Sequence, residues 1–143
     1  MDLTLMKEII QKTNKLALST SYNDQADVRI VNFVWQEETP GKLYFSSVKT
    51  GPALKVYAKN PDVAFITIPD DGASGNPYLK ATHVKIKKSP KTTPELLPLY
   101  LQTVPNYQQV WDTIGPTLTV FELIPEQIYV DAGLGQKKET LQF

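Results

Sequence analysis

Lys42 to Ile68, KLYFSSVKTGPALKVYAKNPDVAFITI, decides how this chain is read. Leu43 to Ser47 is an aromatic strand. Ser46, Ser47, Lys49, Thr50 and Gly51 then make a polar loop with an exposed cation. Pro52 suits the first turn of a helix, where its missing N–H costs nothing. Leu54, Val56 and Tyr57 give that helix an apolar side, and Asn60-Pro61 stops it, because the residue before a proline is pushed out of the helical region. Val63 to Ile68 is the next strand. The loop brings hydroxyls, an ammonium group and helix-start N–H groups together, and such donors favour anions. Phosphate is the first ligand this stretch predicts.

The flanking sequence is mostly strand. Leu3, Met6, Ile9 and Ile10 recur at helical spacing, which predicts an amphipathic opening helix with Asp2 or Thr4 as cap. Leu16 to Thr20 alternates as a strand, Asn23-Asp24-Gln25 is turn chemistry, and Asp27 to Gln36 is rich in β-branched and aromatic residues. These two strands predict a hairpin. Tyr78 to Lys87 reads as a fifth strand, with Ala81, His83 and Lys85 on one face. Glu95–Thr103 and Asn106–Ile114 read as short helices broken at Pro98 and Pro105. Thr117–Leu123 and Gln127–Asp131 read as final strands, and Ala132–Phe143 as a loose tail. A count of about six or seven sequential strands is close to what closes a small barrel. The expected class is mainly β, an antiparallel barrel with peripheral helices, built as one domain over residues 1–143.

Bulk composition narrows the chemistry. Net charge is zero, with 15 basic and 15 acidic residues, so no global field gathers nucleic acid. The lysines from Lys80 to Lys91 read as a solvated strand edge, and no nucleic-acid partner is expected. There is no cysteine, which removes thiolate chemistry and cysteine-ligated metals. No apolar run reaches the roughly 18–20 residues of a membrane span. The start does not resemble a signal peptide, and the expectation is a cytoplasmic protein.

Catalytic constellations are missing too. His83 is the one histidine, so a Ser-His-Asp arrangement has a single possible base with no motif around it. The pairs Asp70-Asp71 and Glu37-Glu38 lack calcium-loop spacing, and no metal site or catalytic side chain is expected. Dinucleotide and P-loop fingerprints are absent.

One further stretch stands out, Val28-Arg29-Ile30-Val31-Asn32-Phe33. On a strand, Arg29, Val31 and Phe33 share one face, and Ile30, Asn32 and Val34 the other. If this strand lies beside Leu43–Ser47, Arg29 reaches the anion loop, where its fork can grip a phosphate. Asn32 offers a donor and an acceptor to a polar ring edge. The competing reading is an exposed strand arginine with an asparagine at a sheet edge.

In order and spacing, these stretches resemble the pyridoxamine 5′-phosphate oxidase-like family of FMN-binding split β-barrels. The residues that carry the resemblance are Asp27 to Phe33, Leu43 to Ser47, Lys59-Asn60-Pro61-Asp62-Val63 and Ile128 to Gly133. The resemblance implies a homodimer with two FMN sites at the subunit interface and a small-molecule substrate. By position, Arg29 resembles the phosphate-binding arginine. Ile30, Val31 and Asn32 resemble the strand running along the flavin, and Phe45 and Ser46 the aromatic–hydroxyl pair that contacts it. Ser47, Lys49 and Thr50 are the expected phosphate ligands. Where the family often carries basic residues, this chain has Pro52-Ala53, and Lys49, Thr50 or Lys55 would substitute. Trp35 and Trp111 are candidate walls. The implied function is a flavoprotein oxidoreductase like the small general-stress-protein members. The alternative is a split barrel that binds haem or a phosphorylated metabolite without catalysis.

Overall fold

Asn23 and Asp24 adopt left-handed backbone angles, φ 51° and 60°, which short polar side chains tolerate and a tight hairpin requires. They join β1 (Lys15–Tyr22) to β2 (Gln25–Asn32) in a full antiparallel ladder. The computed structural model describes residues 1–70 and 72–143, so Asp71 of the Asp70-Asp71 pair lies outside the described residues. The remaining elements are α1 (Thr4–Ile10), β3 (Leu43–Val48), α2 (Ala53–Lys59), β4 (Asp62–Thr67), β5 (Tyr78–Lys88), α3 (Thr93–Thr103), α4 (Tyr107–Ile114), β6 (Leu118–Pro125), β7 (Gln127–Asp131) and β8 (Lys138–Gln142).

The described residues form one antiparallel sheet of eight strands, with the path β2-β1-β4-β5-β6-β3. It curls into a split barrel. The two ends of the path meet where Val34 and Tyr44 exchange backbone hydrogen bonds of 2.9 and 3.0 Å. Inside the curl, Leu16, Leu18, Phe45, Phe65, Leu79 and Leu123 are almost wholly buried, with Met6 of α1 and Tyr57 of α2 closing the ends. A second, smaller cluster lies outside β3 and β6, where Tyr44 and Val120 pack against Leu96 and Tyr100 of α3 and Tyr107 of α4. Each cluster removes large apolar side chains from water, the main favourable term in folding.

Several expectations need correction. The second strand stops at Asn32 rather than Gln36. Phe33 donates its N–H to Asn14 O at 3.0 Å and turns its ring into the barrel, and Val34 crosses to β3. In β5, Val63 faces Val84 while Phe65 faces Ala81, so β5 carries one extra residue at Thr82-His83. This bulge turns Ala81 inward with Leu79 and leaves His83 exposed.

Pro98 does not break α3. The helix runs through it, held by buried Leu96 and Tyr100 and started by the Glu95 carboxylate, which accepts from Thr92 N–H at 3.0 Å. The tail is not loose: Lys138–Gln142 pairs with β7, Leu141 is buried, and a Cβ on Gly41 would come within 2.8 Å of the Phe143 ring. This raises the strand count above the expected six or seven.

Candidate functional site

β2 forms its ladder with β1 alone, and β3 forms its ladder with β6. The two strands approach only at the Val34–Tyr44 bridge, so the juxtaposition needed to bring Arg29 onto the Ser46–Thr50 loop is not a strand pairing. The face assignment does hold. Arg29 stands opposite Leu18 and Val31 opposite Leu16, both buried, whereas Val28 and Ile30 are 65% and 66% exposed.

Arg29 meets a residue the sequence analysis counted only as apolar. Tyr57 of α2 lies beside the guanidinium. Burial pushes the Tyr57 phenol up, and the Arg29 charge pulls it the other way. Asn60 fixes the end of α2 by donating to Ser21 O at 2.9 Å, which seats the helix over β1. The Arg29 Nε and the Tyr57 hydroxyl oxygen are buried and make no well-formed hydrogen bond among the described residues, although the guanidinium is near enough to act on the phenol by hydrogen bonding as well as by charge. A third side chain competes for the cation: Arg29 Nη2 donates to Asp27 Oδ2 at 3.2 Å. Two orphaned buried polar atoms cost free energy unless something occupies the position beside them.

The other expected ligands separate. Phe45 is fully buried, its ring stacked on Phe121 at 5.7 Å, so its aromatic side chain is committed to the core. The Ser46 hydroxyl is within 2.9 Å of the Tyr100 hydroxyl, under α3. Ser47 pairs with Thr119 in the ladder and is half-buried. Lys49 and Thr50 are exposed, and the Lys49 N–H donates to Thr117 O at 2.7 Å. Lys55 is exposed on α2, two residues from Tyr57. Ile30 and Asn32 face outward from β2. Trp35 and Trp111 line separate clefts, neither of which includes Arg29. Arg29 and Tyr57 therefore make one locality and Ser46 another, Lys55 points away on the exposed side of α2, and Lys49 lines the cleft of Trp111. Tyr57 was detectable in the sequence only as the one polar tip on the apolar side of α2.

No helix among the described residues is long and apolar enough to cross a membrane, and no cluster of histidine and carboxylates there can hold a metal.

A family model described as pyridoxamine 5′-phosphate oxidase-like matches residues 9–137. No curated protein matches the chain. Solved structures share the fold at low identity. General Stress Protein 26 from Bacillus anthracis is 17% identical, with a TM-score of 0.68, over 98% of this chain and 97% of that one. A FAD-binding protein from Mesorhizobium loti is 13% identical, with a TM-score of 0.64, over 90% and 92%. HutZ, the heme storage protein of Vibrio cholerae, is 18% identical, with a TM-score of 0.66, over 91% and 95%.

Proposed function

The chain belongs to the pyridoxamine 5′-phosphate oxidase-like family, and on that premise we propose that it is an FMN-binding flavoprotein oxidoreductase acting on a small molecule. The observation that carries this reading is the buried pair of Arg29 Nε and the Tyr57 hydroxyl, side by side and without a well-formed hydrogen bond among the described residues. They fit a phosphate: an arginine fork and a phenol donate to its oxygens. Val31 sits further along the same strand on the face of Arg29, available to the ring, and Asn32 follows it at the outward-facing strand end. Bound FMN supplies hydride-transfer chemistry, and the protein supplies orientation and water exclusion. Tyr57, with its phenol held above the ordinary range, stays a donor at neutral pH.

The site belongs to a homodimer in this reading. Ile30, Ala17 and Ile66 stand in one row across β2, β1 and β4 on the outer face. With Val28 beside Ile30, that row leaves apolar surface in water along a free strand edge, which a second copy would cover. The decisive experiment is an absorption spectrum of the protein as isolated, followed by FMN titration of wild type and Arg29→Ala and by mass in solution. A yellow dimer whose FMN affinity falls on losing Arg29 supports the assignment. A colourless monomer, or an Arg29→Ala protein with unchanged affinity, overturns it.

Asp27 favours a second reading. Its carboxylate offsets the Arg29 charge, and a phosphate carries roughly −1.5 to −2 at neutral pH. A haem, whose carboxylates are singly charged, tolerates that neighbour better. Parallel titration with haemin separates the two: tighter haemin than FMN binding selects haem.

A further inference from the structure

Among the described residues, Lys49, Lys88 and Lys91 converge on one groove of about 570 Å³ between the end of β5, the start of α3 and the end of α4. No aspartate or glutamate lines it. The neighbouring carboxylates are already engaged. Glu122, 2% exposed, is held by Lys42, Lys87 and the Ser89 hydroxyl. Glu95 is held by Thr92, and Asp112 accepts from Gln108 Nε2 at 2.9 Å. None of the three groove lysines forms an ion pair among the described residues, although positive and negative side chains balance over the whole chain. Lys91 feels the Glu95 carboxylate, itself held by Thr92, but no carboxylate enters the groove, and three like charges along one wall repel one another and attract an anion.

The rest of the wall is flat and apolar. Trp111 lies against Gly115 so closely that a Cβ there would come within 2.7 Å of the indole ring. Pro94, Pro116 and Leu118 continue that surface. Lys91 is fixed over the Tyr44 ring, its ammonium 5.7 Å from the centroid, and its N–H donates to the Ser89 hydroxyl at 3.1 Å. Thr92 and Thr119 add hydroxyls among the lysines. A ring seat beside a cationic rim matches the usual make-up of a small-molecule pocket, mostly apolar with a few placed polar groups.

We propose that this groove binds a small planar aromatic anion, an aryl phosphate or aryl carboxylate, with the ring against Trp111 and the charge among Lys49, Lys88 and Lys91. The site is separate from Arg29 and Tyr57 and does not depend on the flavin reading. It also gives Lys49 a role in place of the one expected from the sequence.

The test uses the whole chain labelled with ¹⁵N and phenyl phosphate as probe. The two tryptophans give two indole N–H signals. Trp35 donates its indole N–H to Pro40 O at 3.0 Å and serves as internal control. Phenyl phosphate is expected to move the Trp111 signal saturably and leave Trp35 in place, and benzyl alcohol to move neither. Lys88→Glu with Lys91→Glu should weaken binding about tenfold or more, while Lys138→Gln, on β8 and outside the groove, should leave it unchanged. If the charge reversal disturbs folding, Lys88→Gln with Lys91→Gln serves the same purpose. A Trp111 signal that ignores phenyl phosphate, responds equally to benzyl alcohol, or titrates identically in the lysine variants overturns the proposal.

Discussion

Arg29 gives one arm of its guanidinium to Asp27, Nη2 to Oδ2 at 3.2 Å, while its buried Nε finds no acceptor. The arginine is therefore half committed. Asp27→Asn should release it and raise FMN affinity severalfold. Arg29→Ala should lower affinity by about tenfold to a hundredfold, the loss of a charge-assisted bond worth roughly 1.5–3 kcal/mol. Quenching of flavin fluorescence on titration measures both. Opposite signs in the two variants identify the guanidinium as the anion ligand.

Tyr57→Phe tests the other orphan. The hydroxyl makes no well-formed hydrogen bond among the described residues, so its removal should leave stability nearly unchanged. The same change should weaken FMN binding. A clear drop in the urea midpoint of the unliganded protein would show instead that the hydroxyl is already satisfied.

Ser46→Ala should behave in the reverse manner. Its hydroxyl shares a 2.9 Å hydrogen bond with buried Tyr100, and losing it strands a phenol under α3. The expected cost is about 1–3 kcal/mol, read from denaturant unfolding. FMN affinity should change little if Ser46 serves the α3 packing rather than the flavin.

Alkaline pH provides a global check. Burial raises the phenols of Tyr57, Tyr100 and Tyr107, most strongly at Tyr100. A folded pKa above the unfolded value of about 10 contributes stability that is complete below that value and lost as pH rises through the folded one. The urea midpoint should hold to about pH 10 and then fall, with phenolate absorbance growing as the chain unfolds. Tyr100→Phe should soften that decline.

Local chemistry made much of this architecture readable in advance. The Asn23-Asp24 turn, the helix held between Pro52 and Asn60-Pro61, and the Pro105 break between α3 and α4 each rest on backbone preferences of single residues. What escaped depends on partners. The extra residue at Thr82-His83 exists only relative to β4, and no periodicity within β5 reveals it. Lys138–Gln142 carries one buried apolar residue, Leu141, too weak a pattern to read as a strand until β7 stands beside it. The site followed the same division. Arg29 and its face were legible from alternation along one strand, whereas Tyr57 is set beside it by the docking of α2, and Lys49, its backbone tied to Thr117, lines the Trp111 groove instead.

The two free margins of the rolled sheet are latched by a single pair of peptide groups, those of Val34 and Tyr44. Every other boundary between neighbouring strands is a ladder of several residues. The cylinder can thus change its bore by giving up two hydrogen bonds, without unzipping a strand. Any swelling of the interior, by heat or by a bulky core substitution, should gape first along that line.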